Sequence, residues 1–222
     1  MVLQYYRLVY SLSLAYLSFG HNNCHPHYSF YSNPAQKKKN TNYSSCIASL
    51  NVAILNRLRT LLFGPSGAGK TFLAEAFKKF GVTSIDADTI DGLSSWQDSA
   101  GKKVSIPDDA GKDFLDSHSF LWDKTFLKEY LKDYSDVFVM GSSGNISDMF
   151  DLFDKVYFLD VPDFVQERRL QHPTRINPMG NTEYQRMNAV QFADALKELA
   201  RKNNIDFIDA TLSPEKIYEI VK

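Results

Sequence analysis

The chemistry of this chain concentrates in eight consecutive residues. Gly64-Pro65-Ser66-Gly67-Ala68-Gly69-Lys70-Thr71 matches the phosphate-binding pattern G-x-x-x-x-G-K-[ST]. A short apolar run, Arg59 to Phe63, precedes it, and Leu73, Phe77 and Phe80 follow at helical spacing. Glycines in such a loop let backbone N–H groups turn inward around phosphate oxygens, and the amino end of a helix adds partial positive charge. Lys70 is expected to reach the β and γ phosphates of a nucleoside triphosphate, with the Thr71 hydroxyl on Mg²⁺.

Other residues carry chemistry that such a loop could use. Asp86 and Asp88 follow a short strand pattern, where a carboxylate can hold a hard cation or accept a hydroxyl proton. The alternative for both is a turn or cap role. Arg168, Arg169 and Arg175 offer planar forks for phosphate oxygens, against the alternative of a solvated helix face. His172 to Asn181 contains two prolines and a glycine and reads as a loop able to close. Ser142, Ser143 and Asn145 could bond an acceptor molecule or make a tight turn. Trp96 and Trp122 could wall a pocket or be plain core, and His118 reads as a satisfied or exposed histidine.

Alternating strand and helix patterns must position these groups. Strands are expected at 59–63, 82–85, 136–140, 155–159 and 205–208, each a short apolar run. Helices are expected after Gly69, over Phe120 to Lys132, from Pro162 to Gln171, after Thr182 and after Ser213. Thr182 with Gln185 makes a capping-box pattern, and Ser213-Pro214-Glu215 caps the last helix. The alternation implies a doubly wound five-stranded parallel sheet with helices on both faces. Ligands of such sheets bind at the carboxyl ends of the strands, where Gly64 to Thr71, Asp86 to Asp91, Gly141 to Asn145 and Asp160 fall.

The 222 residues divide by charge. Residues 1–58 contain no acid and carry +5 from Arg7, Lys37, Lys38, Lys39 and Arg57. The remaining 20 basic and 26 acidic residues give the part from Arg59 a charge of −6. This shift marks a boundary between a poorly ordered N-terminal extension, 1–58, and a domain over 59–222. The extension is compatible with plain disorder, organelle targeting or secretion. Without a targeting role for it, the expected location is cytoplasmic. Cys24 with His21, His25 and His27 lacks the Cys-x-x-Cys spacing of a zinc site. An acidic domain without a basic stripe argues against nucleic acid, and no apolar run approaches the ~20 residues of a membrane span.

No Asn-Lys-x-Asp segment reads guanine, and the strand KVYFL ends in Asp160-Val161 rather than the Asp-Glu of a water-activating ATPase. Kinases of small molecules need no such base, because the second substrate brings the nucleophile. Residues 59–222 resemble the small nucleotide-kinase-like phosphate-binding-loop proteins, with shikimate and gluconate kinases as near relatives. GPSGAGKT looks like their ATP loop, Ile85-Asp86-Ala87-Asp88 like their Asp-x-Asp, and Met140 to Asn145 stands in the place of a Gly-rich substrate loop. The Asp-Gly-Phe-Pro-Arg segment of adenylate kinases and the Gly-Gly-Gly pattern of shikimate kinases are missing.

The resemblance implies transfer of the γ-phosphoryl group from Mg-ATP to a small-molecule hydroxyl or phosphate acceptor. Gly64 to Thr71 would bind ATP, and Thr71 and Asp86 would hold Mg²⁺. Lys70, Asp88, Arg168 and the lid arginine Arg175 would act in catalysis. No nucleic-acid or membrane partner is expected, and monomer and homodimer both remain open. The alternative is a nucleotide-binding switch or adaptor with slow ATP hydrolysis.

Overall fold

The computed structural model describes residues 58–172 and 180–222. The extension expected over 1–58, apart from Leu58, lies outside the described residues, as do Arg175 and most of the expected closing loop.

Five parallel strands form the main sheet: β1 Arg59–Phe63, β2 Ser84–Asp86, β6 Val137–Gly141, β7 Lys155–Asp160 and β8 Asp206–Asp209. Their spatial order is β2-β6-β1-β7-β8. All five coincide with the apolar runs of the sequence. Successive side chains of a strand point to opposite faces, and this periodicity separates two cores. Leu61 and Phe63 join Val139 and Phe158 on one face, whereas Leu62 joins Met140, Leu159 and Ile208 on the other. Every one of these residues is buried.

Each face is covered by helices. Helices α1 Lys70–Lys79 and α6 Pro214–Val221 cover the Leu62 face through Leu73, Phe77, Ile217 and Val221. Phe77 lies edge-on to Phe138, with ring centroids 5.1 Å apart. Helices α3 Lys124–Tyr130 and α5 Glu183–Lys202 cover the other face through Leu127, Leu196 and Ala200. The expected capping box at Thr182 and Gln185 is present, and the Ser213 side chain caps α6. The remaining helices are α2 Lys112–Ser117 and α4 Asp163–Leu170.

Between β2 and β6 the chain makes a second, antiparallel sheet that the sequence did not announce. Its strands are β3 Ser94–Asp98, β4 Lys103–Val104 and β5 His118–Trp122, in the order β4-β3-β5. The helix expected over Phe120 to Lys132 is therefore corrected. Phe120 and Leu121 pair with Trp96 and Ser95 in the small sheet, and the helix begins only at Lys124. Asp123 stops the strand and starts the helix, its carboxylate accepting from the Phe126 amide at 3.0 Å.

Candidate functional site

The turn from β1 into α1 is built to present backbone amides. Gly67 and Gly69 sit at φ 85° and 95°, a region that side-chain-bearing residues avoid. Gly69 is the N-cap of α1, no side chain bonds the helix end, and no acid occupies its first turn. The helix dipole favours negative charge at this end. Lys70 Nζ donates to the Gly64 and Pro65 carbonyls at 2.8 and 2.9 Å, which folds the side chain back along the loop.

Helix α4 holds the loop from the far side. The Arg169 guanidinium donates to the carbonyls of Gly67, Ala68 and Ala210 at 3.1, 3.2 and 3.1 Å. Burial first, and then Arg168 beside it, lowers its pKa below the ordinary arginine value, while Asp209 opposes that shift. The buried Gln166 amide donates to the Ser66 carbonyl at 2.9 Å and reaches Ala189 of α5 at 3.3 Å. Asp209 accepts from the Thr211 amide and hydroxyl at 2.8 and 2.6 Å, shaping the turn after β8. These bonds, with Thr211 first among them, lower the Asp209 carboxyl below its ordinary value.

A cavity of about 860 Å³ opens over this loop. Lys70, Thr71, Asp88, Arg168, Arg169 and His172 give it polar walls, and Phe72, Ala210, Leu212 and Ile217 an apolar side. The volume lies within the range of small-ligand and cofactor pockets. A convergent set of amides and cations beside an apolar wall suits a triphosphate joined to a flat base. Thr71 supplies an oxygen ligand of the kind Mg²⁺ takes alongside phosphate oxygens. Among the described residues no group of three or more His, Cys, Asp or Glu could hold a metal by itself.

Several of the residues singled out in the sequence make structural contacts. Asp86 is buried, and its carboxylate accepts from the Asp88 amide at 3.1 Å, capping the short turn Ala87–Thr89. Asp88, not Asp86, stands on the cavity wall. The Asn145 side chain accepts from the Trp122 amide and donates to the Trp122 carbonyl, both at 3.0 Å, so it pins β5 to the end of β6. The Ser143 hydroxyl donates to that same Asn145 oxygen at 3.0 Å. Trp96 packs against Phe114 and Phe120 at 5.6 and 5.7 Å, and His118 stacks on Phe114 at 4.1 Å. Asp160 forms an ion pair with Lys197 at 2.9 Å.

Gln185 is the polar residue that the capping pattern understated. It is buried, and its carbonyl oxygen accepts from the amides of Gly180, Asn181 and Thr182 at 3.1, 2.9 and 3.3 Å. Its amide nitrogen donates to the Asp108 and Ala110 carbonyls at 3.4 and 3.2 Å. One side chain thereby ties the start of α5 to the loop before α2.

The sheet order, the glycine turn and the helix that follows it define a doubly wound α/β domain with a phosphate-binding-loop turn after its first strand. Solved structures similar to the chain include a shikimate kinase from Acinetobacter baumannii in complex with shikimate, 19% identical. That match covers 76% of this chain and 95% of that chain, with a TM-score of 0.48. A gluconokinase from Sinorhizobium meliloti 1021 is 15% identical, with 74% and 89% covered and a TM-score of 0.43. A deoxyadenosine kinase from M. mycoides with bound dATP is 13% identical, with 74% and 97% covered and a TM-score of 0.42. No protein-family model and no curated protein matches the chain.

Proposed function

We propose that the protein is a phosphotransferase that moves the γ-phosphoryl group of Mg-ATP to a small-molecule acceptor. The observation that carries this reading is the meeting of Lys70, Thr71, Asp88 and Arg168 on one cavity at the carboxyl ends of the strands. The triphosphate lies along the amides of Gly67 to Thr71, and the base rests on Ala210, Leu212 and Ile217. Mg²⁺, when bound with the nucleotide beside Thr71, offsets charge on the β and γ phosphates.

Asp88 holds the acceptor hydroxyl and takes its proton. The hydroxyl oxygen forms a bond to the γ phosphorus as the bond from phosphorus to the bridging oxygen breaks, and ADP leaves with that electron pair. Lys70 and Arg168 stabilise the charge that spreads over the transferring oxygens. Arg169 is already engaged with three carbonyls and keeps the loop in shape rather than meeting substrate.

Among the described residues no helix is long and apolar enough to cross a membrane. The test is ADP release by the full chain with Mg-ATP and pools of candidate acceptors. The reading expects at least one pool to raise the rate well above the acceptor-free background, and Lys70→Ala to abolish that increment. A rate indifferent to every pool would overturn it.

A further inference from the structure

Phe72 is the third residue of α1, two positions past Lys70, and it is 67% exposed. The apolar residues that follow it on the helix, Leu73, Ala74 and Phe77, turn into the core, whereas Phe72 belongs to neither core cluster. Single exposed apolar side chains are ordinary on a protein surface, and Phe164, Met187 and Ile220 are of that kind. Phe72 differs from them in its place. It lines the cavity over the phosphate loop, beside Lys70 and Thr71, and the other three do not.

The rest of the apolar side of that cavity comes from Ala210 and Leu212 in the turn after β8 and from Ile217 of α6. The backbone donors of this turn are already committed. The Ala210 amide donates to the Asp160 carbonyl at 2.8 Å, the Thr211 amide to the Asp209 carboxylate at 2.8 Å, and the Leu212 amide to the Asp209 carbonyl at 3.2 Å. The Ala210 carbonyl accepts from Arg169 at 3.1 Å. The turn therefore meets a ligand with hydrocarbon rather than with N–H groups. A nucleotide whose phosphates follow the loop must set its flat base on a surface of the same cavity, and an exposed phenyl ring beside the loop supplies a π face for it.

We infer that Phe72 is the base-stacking residue of the nucleotide site, and that through it the site takes purine triphosphates in preference to pyrimidine ones. The inference rests on the phosphotransferase reading for the place of the phosphates, and adds what holds the base. A purine presents the larger face and covers more of the phenyl ring than a pyrimidine does. Stacking tolerates any base of the right size, so Phe72 selects for two fused rings and not between adenine and guanine.

The experiment is calorimetric titration of the full chain with the Mg²⁺ complexes of ATP, CTP and tripolyphosphate, the last being a triphosphate chain without a base. The wild type is expected to bind ATP at least about fivefold more tightly than CTP. Phe72→Ala is expected to raise the Kd for ATP at least about fivefold, to narrow the gap between ATP and CTP, and to leave the Kd for tripolyphosphate unchanged. Phe72→Trp keeps a stacking face and is expected to hold ATP as the wild type does. An unaltered Kd for ATP in Phe72→Ala would overturn the inference, and so would a wild type that binds CTP as tightly as ATP. Equal weakening of all three ligands would assign Phe72 to the shape of the loop and overturn it as well, while leaving the phosphotransferase reading standing. Failure of the wild type to bind either ATP or tripolyphosphate would remove the phosphate site itself, and the phosphotransferase reading with it.

Discussion

Arg169 donates to the carbonyls of Gly67 and Ala68 at 3.1 and 3.2 Å, so a helix about a hundred residues downstream holds the phosphate loop by its backbone. The third bond, to Ala210, links the same guanidinium to the turn after β8. Charge-assisted bonds of this kind are worth about 1.5–3 kcal/mol. Lysine cannot reproduce a planar fork across three carbonyls. Arg169→Lys is therefore expected to weaken ATP binding roughly tenfold, since about 1.4 kcal/mol is a factor of ten. Calorimetric titration of ATP into both proteins checks this, and an unchanged Kd would show that the brace is dispensable.

Gln185 satisfies three amides and two carbonyls from a buried position. Gln185→Leu keeps the approximate volume and strips every bond. Leaving several buried backbone groups without partners costs roughly 3 kcal/mol in sum. Urea unfolding should show the midpoint falling with little change in slope, and an unchanged midpoint would mean that water replaces the side chain.

Gly141 has no room for a methyl group, because Trp122 and Ala87 would each lie within 2.6 Å of it. Gly141→Ala must push the indole away from the end of β6, at a cost of about 1–3 kcal/mol for overpacking. Displacement of the indole should shift the tryptophan emission and the near-ultraviolet circular dichroism. A stable variant with wild-type spectra would contradict this packing.

Tyr130 shares a hydrogen bond with Tyr134, hydroxyl to hydroxyl at 3.2 Å. That bond, ahead of partial burial, raises the Tyr130 phenol from 10.0 to about 12. A raised phenol stabilises the fold while it stays protonated. Its contribution is fully present below the unfolded value near 10 and is lost as pH rises toward about 12. Absorbance titration should show a late tyrosine step in the wild type. Tyr134→Phe is expected to move that step to lower pH, and a late step left at the same pH would refute the coupling.

The main sheet was legible because each of its strands is a short apolar run closed by Gly or Asp, as in RTLLF before Gly64 and DVFVM before Gly141. The loop was legible for a local reason as well, since all its parts are contiguous. The small sheet was not. Ser94-Ser95-Trp96-Gln97-Asp98 has no apolar alternation, and its strand identity comes from pairing with residues 118–122. Phe120, Leu127 and Leu131 are spaced as on one helix, yet Phe120 belongs to a strand; only Asp123 marks the break. The braces were hidden by distance. Gln166 meets Ser66 across a separation of 100 residues, and nothing near either residue signals the contact. Asp86 and Asp88 looked alike in sequence, and the turn at Ala87 separates them into a buried cap and a cavity carboxylate.

The most direct test of the central claim follows the γ-phosphoryl group itself. Phosphorus NMR of the full chain with Mg-ATP and pools of hydroxyl-bearing candidate acceptors distinguishes transfer from hydrolysis. The account expects a new phosphomonoester resonance growing in step with ADP, with no matching inorganic phosphate, and expects Lys70→Ala to lose it. Inorganic phosphate appearing in step with ADP, with no phosphomonoester, would contradict a kinase and leave a nucleotide-hydrolysing switch.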